Sequence, residues 1–135
     1  MSDILVVDDE PAIGWSLREL FTDEGHAVEL VTSVAEALVA CRRRPPRTIL
    51  LDVRLPGRDG LSAIPDLRAL APRAPVIVMT AFGDLETAVR AVDAGAFDYL
   101  VKPFDLKKVS EVVARALAEA DGPGPAAGQI GRAHV

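Results

Sequence analysis

Short apolar runs alternate with longer stretches of helical spacing along this chain. Ile4-Leu5-Val6-Val7 runs into Asp8-Asp9-Glu10, and Thr48-Ile49-Leu50-Leu51 runs into Asp52. Pro75-Val76-Ile77-Val78-Met79 runs into Thr80-Ala81, and Asp98-Tyr99-Leu100-Val101 runs into Lys102-Pro103. Apolar runs of this length without alternation predict parallel strands covered on both faces. A further strand is expected over 27–31. Between the strands, Pro11 suits the first turn of a helix in which Ile13, Leu17, Leu20 and Phe21 recur at helical spacing. Gly25 marks its stop. Ser33-Val34-Ala35-Glu36 has the form of a capping box and opens a second helix, which ends before Pro45-Pro46. A third helix is expected over about 61–71 after the turn-rich Pro56-Gly57-Arg58-Asp59-Gly60. Pro65 lies inside it, so its first turn should be irregular. Asp84 caps a fourth helix over 85–94, closed by Gly95. Asp105 caps a last helix with the apolar stripe Val109, Val112, Val113, Ala116 and Leu117. Strand and helix thus alternate five times, which predicts an α/β fold with a parallel sheet.

Composition narrows the picture without changing it. A chain of 135 residues fits one domain with a real core. After Asp121 the sequence turns to Gly-Pro-Gly-Pro-Ala-Ala-Gly, so a domain over 1–120 and a linker over 121–135 are expected. The net charge of −5 and pI near 5.0 argue against nucleic acid as a direct partner. Arg42-Arg43-Arg44 reads as a water-facing cluster at a helix C-terminus, where cations suit the dipole. Cys41 is the only cysteine, so no internal disulfide forms and a reducing compartment fits. No basic leader opens the chain and no apolar stretch approaches the ~18 residues of a membrane span, so a cytoplasmic protein is expected. Trp15 and Cys41 are read as packing residues on helices, and His26, after the helix-ending Gly25, as exposed.

Ligands of an open parallel sheet bind at the carboxyl ends of its strands. Asp8, Asp9, Asp52, Thr80 and Lys102 should therefore converge on one rim. Carboxylates crowded in one cleft repel and demand cations. Lys102 supplies one, and a hard divalent ion the rest. Oxygen-only ligands point to Mg²⁺, with Mn²⁺ as a substitute. His26 and His134 lie far from the strand ends in sequence, so zinc is not expected. With such a metal, a carboxylate can act as nucleophile toward phosphorus, as in enzymes that form an aspartyl-phosphate. Either Asp9 or Glu10 is also expected to cap the first helix.

These residues in this order resemble the receiver domains of two-component response regulators. The words that carry the likeness are Val6-Val7-Asp8-Asp9-Glu10, Leu51-Asp52-Val53-Arg54-Leu55-Pro56-Gly57-Arg58-Asp59-Gly60, Met79-Thr80-Ala81 and Tyr99-Leu100-Val101-Lys102-Pro103-Phe104. Each is weak alone, and the ordered set is specific. The resemblance implies a doubly wound (βα)₅ sheet of strand order 2-1-3-4-5, as in CheY-like and flavodoxin-like folds. It implies Asp52 as phosphoacceptor, Asp9 as direct metal ligand, Asp8 as its neighbour acting through water, and the backbone carbonyl of Arg54 as a further ligand. Thr80 and Lys102 match the phosphate-sensing pair, Tyr99 the aromatic switch, and Pro56, Gly60 and Pro103 the loop geometry. It further implies a sensor histidine kinase as donor, a regulatory phosphoacceptor rather than an enzyme, and homodimerisation through the last two helices and fifth strand.

A finer likeness, to the receivers of NtrC-type regulators of sigma-54 transcription, rests on residues 80–89 and 95–105. The ATPase and DNA-binding modules of those proteins are not in this chain. Leu55 stands where the family often has Met, and Arg58 and Pro65 have no assigned role. Two rivals share the chemistry or the fold. A haloacid-dehalogenase-type phosphatase would need Asp-x-Asp on the first strand and a cap domain, and neither is present. A flavodoxin-like FMN binder would need a first loop rich in Ser, Thr and Gly, whereas this one is acidic.

Overall fold

The computed structural model describes residues 3–81 and 84–122. In chain order the elements are β1 (Ile4–Val7), α1 (Pro11–Asp23), β2 (Val28–Val31), α2 (Val34–Arg43), β3 (Thr48–Asp52), α3 (Gly60–Leu70), β4 (Val76–Ala81), α4 (Leu85–Asp93), β5 (Asp98–Lys102) and α5 (Leu106–Ala120). All strand pairs are parallel and the order across the sheet is β2-β1-β3-β4-β5. This is the (βα)₅ architecture expected from the sequence.

The apolar runs lack alternation because both faces of the sheet are covered. Ile4, Val6, Leu50, Ile77, Met79 and Leu100 point to one face, against Leu17 and Phe21 of α1 and Val109, Val112 and Val113 of α5. Leu5, Val7, Ile49, Leu51, Val76 and Val78 point to the other, against α2, α3 and Ala91 of α4. Each fully buried Leu, Ile or Phe contributes about 1.5–3 kcal/mol. An exposed ion pair contributes about 0–1 kcal/mol. The two clusters, not surface pairs such as Arg43–Glu29, therefore hold the fold.

Local signals set the helix starts. Ser33 accepts from the Glu36 N–H at 3.2 Å, but Glu36 reaches back to the Thr32 N–H at 2.7 Å, so the capping box is displaced by one residue. Asp59, Asp84 and Asp105 cap α3, α4 and α5 through the N–H groups of Leu61, Thr87 and Lys107. The α1 cap differs from expectation. Glu10 is the N-cap residue but makes no side-chain cap bond, and Asp9 makes none. Asp8 bonds to the Glu10 N–H at 2.8 Å instead. Pro65 does not interrupt α3, which runs unbroken from Gly60. The irregularity is confined to the first turn, where the Ser62 N–H bonds to the Asp59 carbonyl, three residues back.

Two packing expectations are corrected. Trp15 is 62% exposed: Gly14, Leu17 and Phe21 form the inward stripe of α1, and position 15 lies off it. His26 is half-buried, with Nδ1 3.9 Å from Asp3, because the chain turns at Gly25 straight into the sheet. Cys41 is buried as expected, and burial, with the charge of Glu29, pushes its thiol up to about 11. Arg42, Arg43 and Arg44 face water at the end of α2. No helix among the described residues is long and apolar enough to cross a membrane. Residues 123–135, most of the expected linker, lie outside the described residues, as do Phe82 and Gly83.

Candidate functional site

Strand register builds the site. β1 pairs with β3 so that Val7 faces Leu51, which leaves Asp8 and Asp52 side by side at the carboxyl edge. β4 pairs with β3 at Asp52 and Met79, so Thr80 follows immediately. β5 pairs with β4 at Ala81 and Lys102, which brings the amine to the same rim. Lys102 Nζ lies 2.9 Å from Asp8 Oδ2, 3.0 Å from Glu10 Oε1 and 3.3 Å from Asp52 Oδ2. Oxygens of Asp8, Glu10 and Asp52 all lie within 4.8 Å of one another. The site opens into a cleft of about 120 Å³ lined by Asp9, Glu10, Asp52, Arg54, Thr80 and Lys102, with Asp84 also on its wall. A larger hollow of about 410 Å³ lies between β2 and α2, but none of the strand-end groups reach it.

The electrostatics are those of an acid cluster held by too few cations. Burial, then the charge of Asp8, pushes the Asp52 carboxyl up to about 6, against the pull of Lys102 and the Arg54 N–H. Burial pulls Lys102 down, but its bonds to Asp8 and Glu10 and the charges of Asp52 and Asp8 outweigh this and hold it above its ordinary value. The donor set consists of hard oxygens and carries excess negative charge, so it fits a divalent ion such as Mg²⁺. Thr80 is 2% exposed, and its Oγ1 has no hydrogen-bond partner among the described residues. A buried hydroxyl without a partner costs about 1–3 kcal/mol. It is poised for an acceptor brought by a ligand.

The expected residues are placed unequally. Asp8, Asp52, Thr80 and Lys102 converge. Asp9 lines the cleft, but its side chain is exposed and stands outside the tight carboxylate group. Glu10 stands in that group instead, a contact the sequence reading missed. The chain bends at Asp9, with the Glu10 N–H bonded to Asp8 Oδ1, and no sequence pattern signalled that this turn brings Glu10 to Lys102. The Arg54 N–H bonds to Asp52 Oδ1 at 3.4 Å. Tyr99 is half-buried and packs on the core face shared by α2, α3 and α4. Pro103 follows Lys102 through a cis peptide bond, and Pro56 lies exposed on the loop after β3.

Gly60 has a direct steric reason. A Cβ there would lie 2.2 Å from the Asp52 carbonyl oxygen, so the start of α3 can rest against the end of β3 only without a side chain. Gly60→Ala is expected to cost about 1–3 kcal/mol, as overpacking does, and to displace the Asp52 loop. Thermal melts would show the loss. An Ala variant as stable as the parent would mean the loop yields freely.

Comparison with known proteins gives a consistent result. Residues 4–114 match the family described as response regulator receiver domain. Over 134 residues the chain is 40% identical to the transcriptional regulatory protein ZraR of Salmonella typhimurium, covering 96% of this chain and 30% of that protein. It thus spans less than a third of the length of that relative. The crystal structure of the receiver domain of NtrX from Brucella abortus superposes with a TM-score of 0.81 at 38% identity, covering 85% of this chain and 98% of that one. The solution structure of a beryllofluoride-activated NtrC4 receiver domain dimer superposes with a TM-score of 0.83 at 33% identity, covering 89% and 99%.

Proposed function

The chain belongs to the response regulator receiver family of two-component systems, and from that premise we propose that Asp52 accepts a phosphoryl group from a sensor histidine kinase. The observation that carries this reading is the Asp52–Lys102–Thr80 arrangement: a buried carboxylate 3.3 Å from a half-buried amine, beside a buried hydroxyl with no partner among the described residues. A carboxylate oxygen of Asp52 attacks phosphorus as the bond to the donor breaks, and the donor leaves with the electron pair. Lys102 turns from Asp8 and Glu10 toward one phosphoryl oxygen, and Thr80 Oγ1 donates to another. Asp8, Asp9, Asp52 and the Arg54 carbonyl would hold Mg²⁺, or Mn²⁺ in its place, and Glu10, grouped with Asp8 and Asp52, would share the task. When bound, the ion offsets the charge that develops on the phosphoryl oxygens.

The domain is a regulatory switch rather than an enzyme with turnover. Once Thr80 moves, Tyr99 gains room to turn inward, and the face of α4, β5 and α5 is remodelled. Leu85, Val89 and Val92 of α4 and Leu106 of α5 are large, apolar and exposed. They suit the second copy of a homodimer, the assembly named for the NtrC4 receiver. The output is control of transcription, sigma-54-dependent by the likeness to NtrC-type regulators. Residues 1–120 form the receiver and 121–135 lead toward the output module, in the cytoplasm.

Acetyl phosphate and Mg²⁺ are expected to load one phosphoryl group per chain, as an acyl phosphate cleaved by hydroxylamine. Steady turnover of p-nitrophenyl phosphate without such loading would favour the phosphatase reading instead.

A further inference from the structure

We infer that Arg58 tethers the tip of the loop after β3 and thereby positions the metal ligands beside Asp52; the inference rests on the phosphoacceptor reading above. The base of this loop is fastened by backbone bonds, from the Val53 N–H to the Met79 carbonyl at 3.3 Å and from the Gly60 N–H to the Val53 carbonyl at 2.8 Å. Its tip is not. The backbone of residues 55–58 makes no hydrogen bond to a described residue, and Gly57 sits at φ +83°, where only glycine is at ease.

The Arg58 side chain replaces the missing bonds. Its Nε donates to Ser62 Oγ at 3.1 Å, and its Nη2 donates to the Ser62 carbonyl at 3.0 Å and to Asp66 Oδ2 at 2.6 Å. All three acceptors belong to Ser62 and Asp66, in the first two turns of α3.

Pro65, in the same stretch of helix, has no N–H for the Leu61 carbonyl, but the Arg58 bonds go to Ser62 and Asp66 and not to that carbonyl. The planar guanidinium fork serves the three acceptors at once, which an ammonium on a flexible stem does poorly. Arg58 is a positioning residue. It touches no reacting atom and acts through the chain between Asp52 and Gly60, which carries the Arg54 carbonyl.

The test uses the full chain and Mg²⁺ alone, titrated calorimetrically. Arg58→Ala is expected to weaken Mg²⁺ binding on the order of tenfold, as loss of a group that orients a metal ligand does. Arg58→Lys should recover only part, and Asp66→Ala should move the same way by less. Labelling by acetyl phosphate should slow at low Mg²⁺ and recover at saturating Mg²⁺. In metal-free buffer the hydrogen-bonded amides of Val53, Arg54 and Gly60 should exchange hydrogen faster in Arg58→Ala than in the parent. Unchanged Mg²⁺ affinity in Arg58→Ala, with or without a lower melting temperature, would overturn the tether, because a mere clamp on α3 moves stability alone. A parent chain that neither binds Mg²⁺ nor takes label would instead defeat the phosphoacceptor reading on which the tether rests.

Discussion

Asp52→Asn is expected to abolish labelling by acetyl phosphate and, in metal-free buffer near neutral pH, to raise the melting temperature. The first effect follows from removing the nucleophilic oxygen. The second follows from the charge balance at the strand ends. Asp52 is 5% exposed, and burial and Asp8 lift its carboxyl from 3.8 to about 6 even with Lys102 at 3.3 Å. A folded-state value above the unfolded one means that the folded chain binds the extra proton between these two pH values. Stability therefore falls as pH rises from about 4 to about 6, and the full penalty, about 3 kcal/mol by the size of that shift, is present at pH 7. An amide in place of the carboxylate removes the penalty together with the attraction to Lys102 already counted within it. A net gain of about 1–2 kcal/mol is expected, or several degrees in a domain of this size. The gap between variant and parent should be small near pH 4, widen toward pH 7, and close again when Mg²⁺ stabilises the parent. A variant melting below its parent at neutral pH without metal would show that the cluster is not under repulsive load.

What could be read from the sequence, and what could not, follows from the range of the forces involved. The strands were legible because a sheet covered on both faces needs unbroken apolar runs such as Thr48-Ile49-Leu50-Leu51. Once these runs were strands, parallel order put Asp8, Asp52, Thr80 and Lys102 on one rim without any side-chain detail. Contacts set by a single turn of chain were not legible. Glu10 bonds to Lys102 after the chain bends at Asp9, and a bend of one residue has no periodic signature. Trp15 was misplaced because its large apolar side chain outweighed its position, one residue off the Gly14–Leu17–Phe21 stripe. Arg58 stands two residues before α3, and only coordinates show that its guanidinium reaches Ser62 and Asp66 on that helix.

Lys102→Met is expected to be the most destabilising single change at the site, and the one most fully reversed by metal. The amine is the only cation bonded to Asp8 and Asp52 among the described residues. The Asp8 side chain has no exposed surface and that of Asp52 only 8%. Removing one member of a buried ion pair costs about 3–5 kcal/mol, because the other charge stays buried without a partner. For a domain of this size that is a fall in melting temperature of about 10–20 °C. Part of the loss can be avoided by protonation, so the deficit should shrink as pH drops toward 5, where Asp52 is neutral in the fold. A divalent ion relieves the same repulsion, and no lysine competes with it in the variant. Millimolar Mg²⁺ should therefore raise the variant's melting temperature by more than it raises the parent's. Melts of both proteins with EDTA and with Mg²⁺, at pH 5 and pH 7.5, read all three effects. Equal stability of variant and parent in EDTA at pH 7.5 would mean that Lys102 is not what holds the acid cluster together.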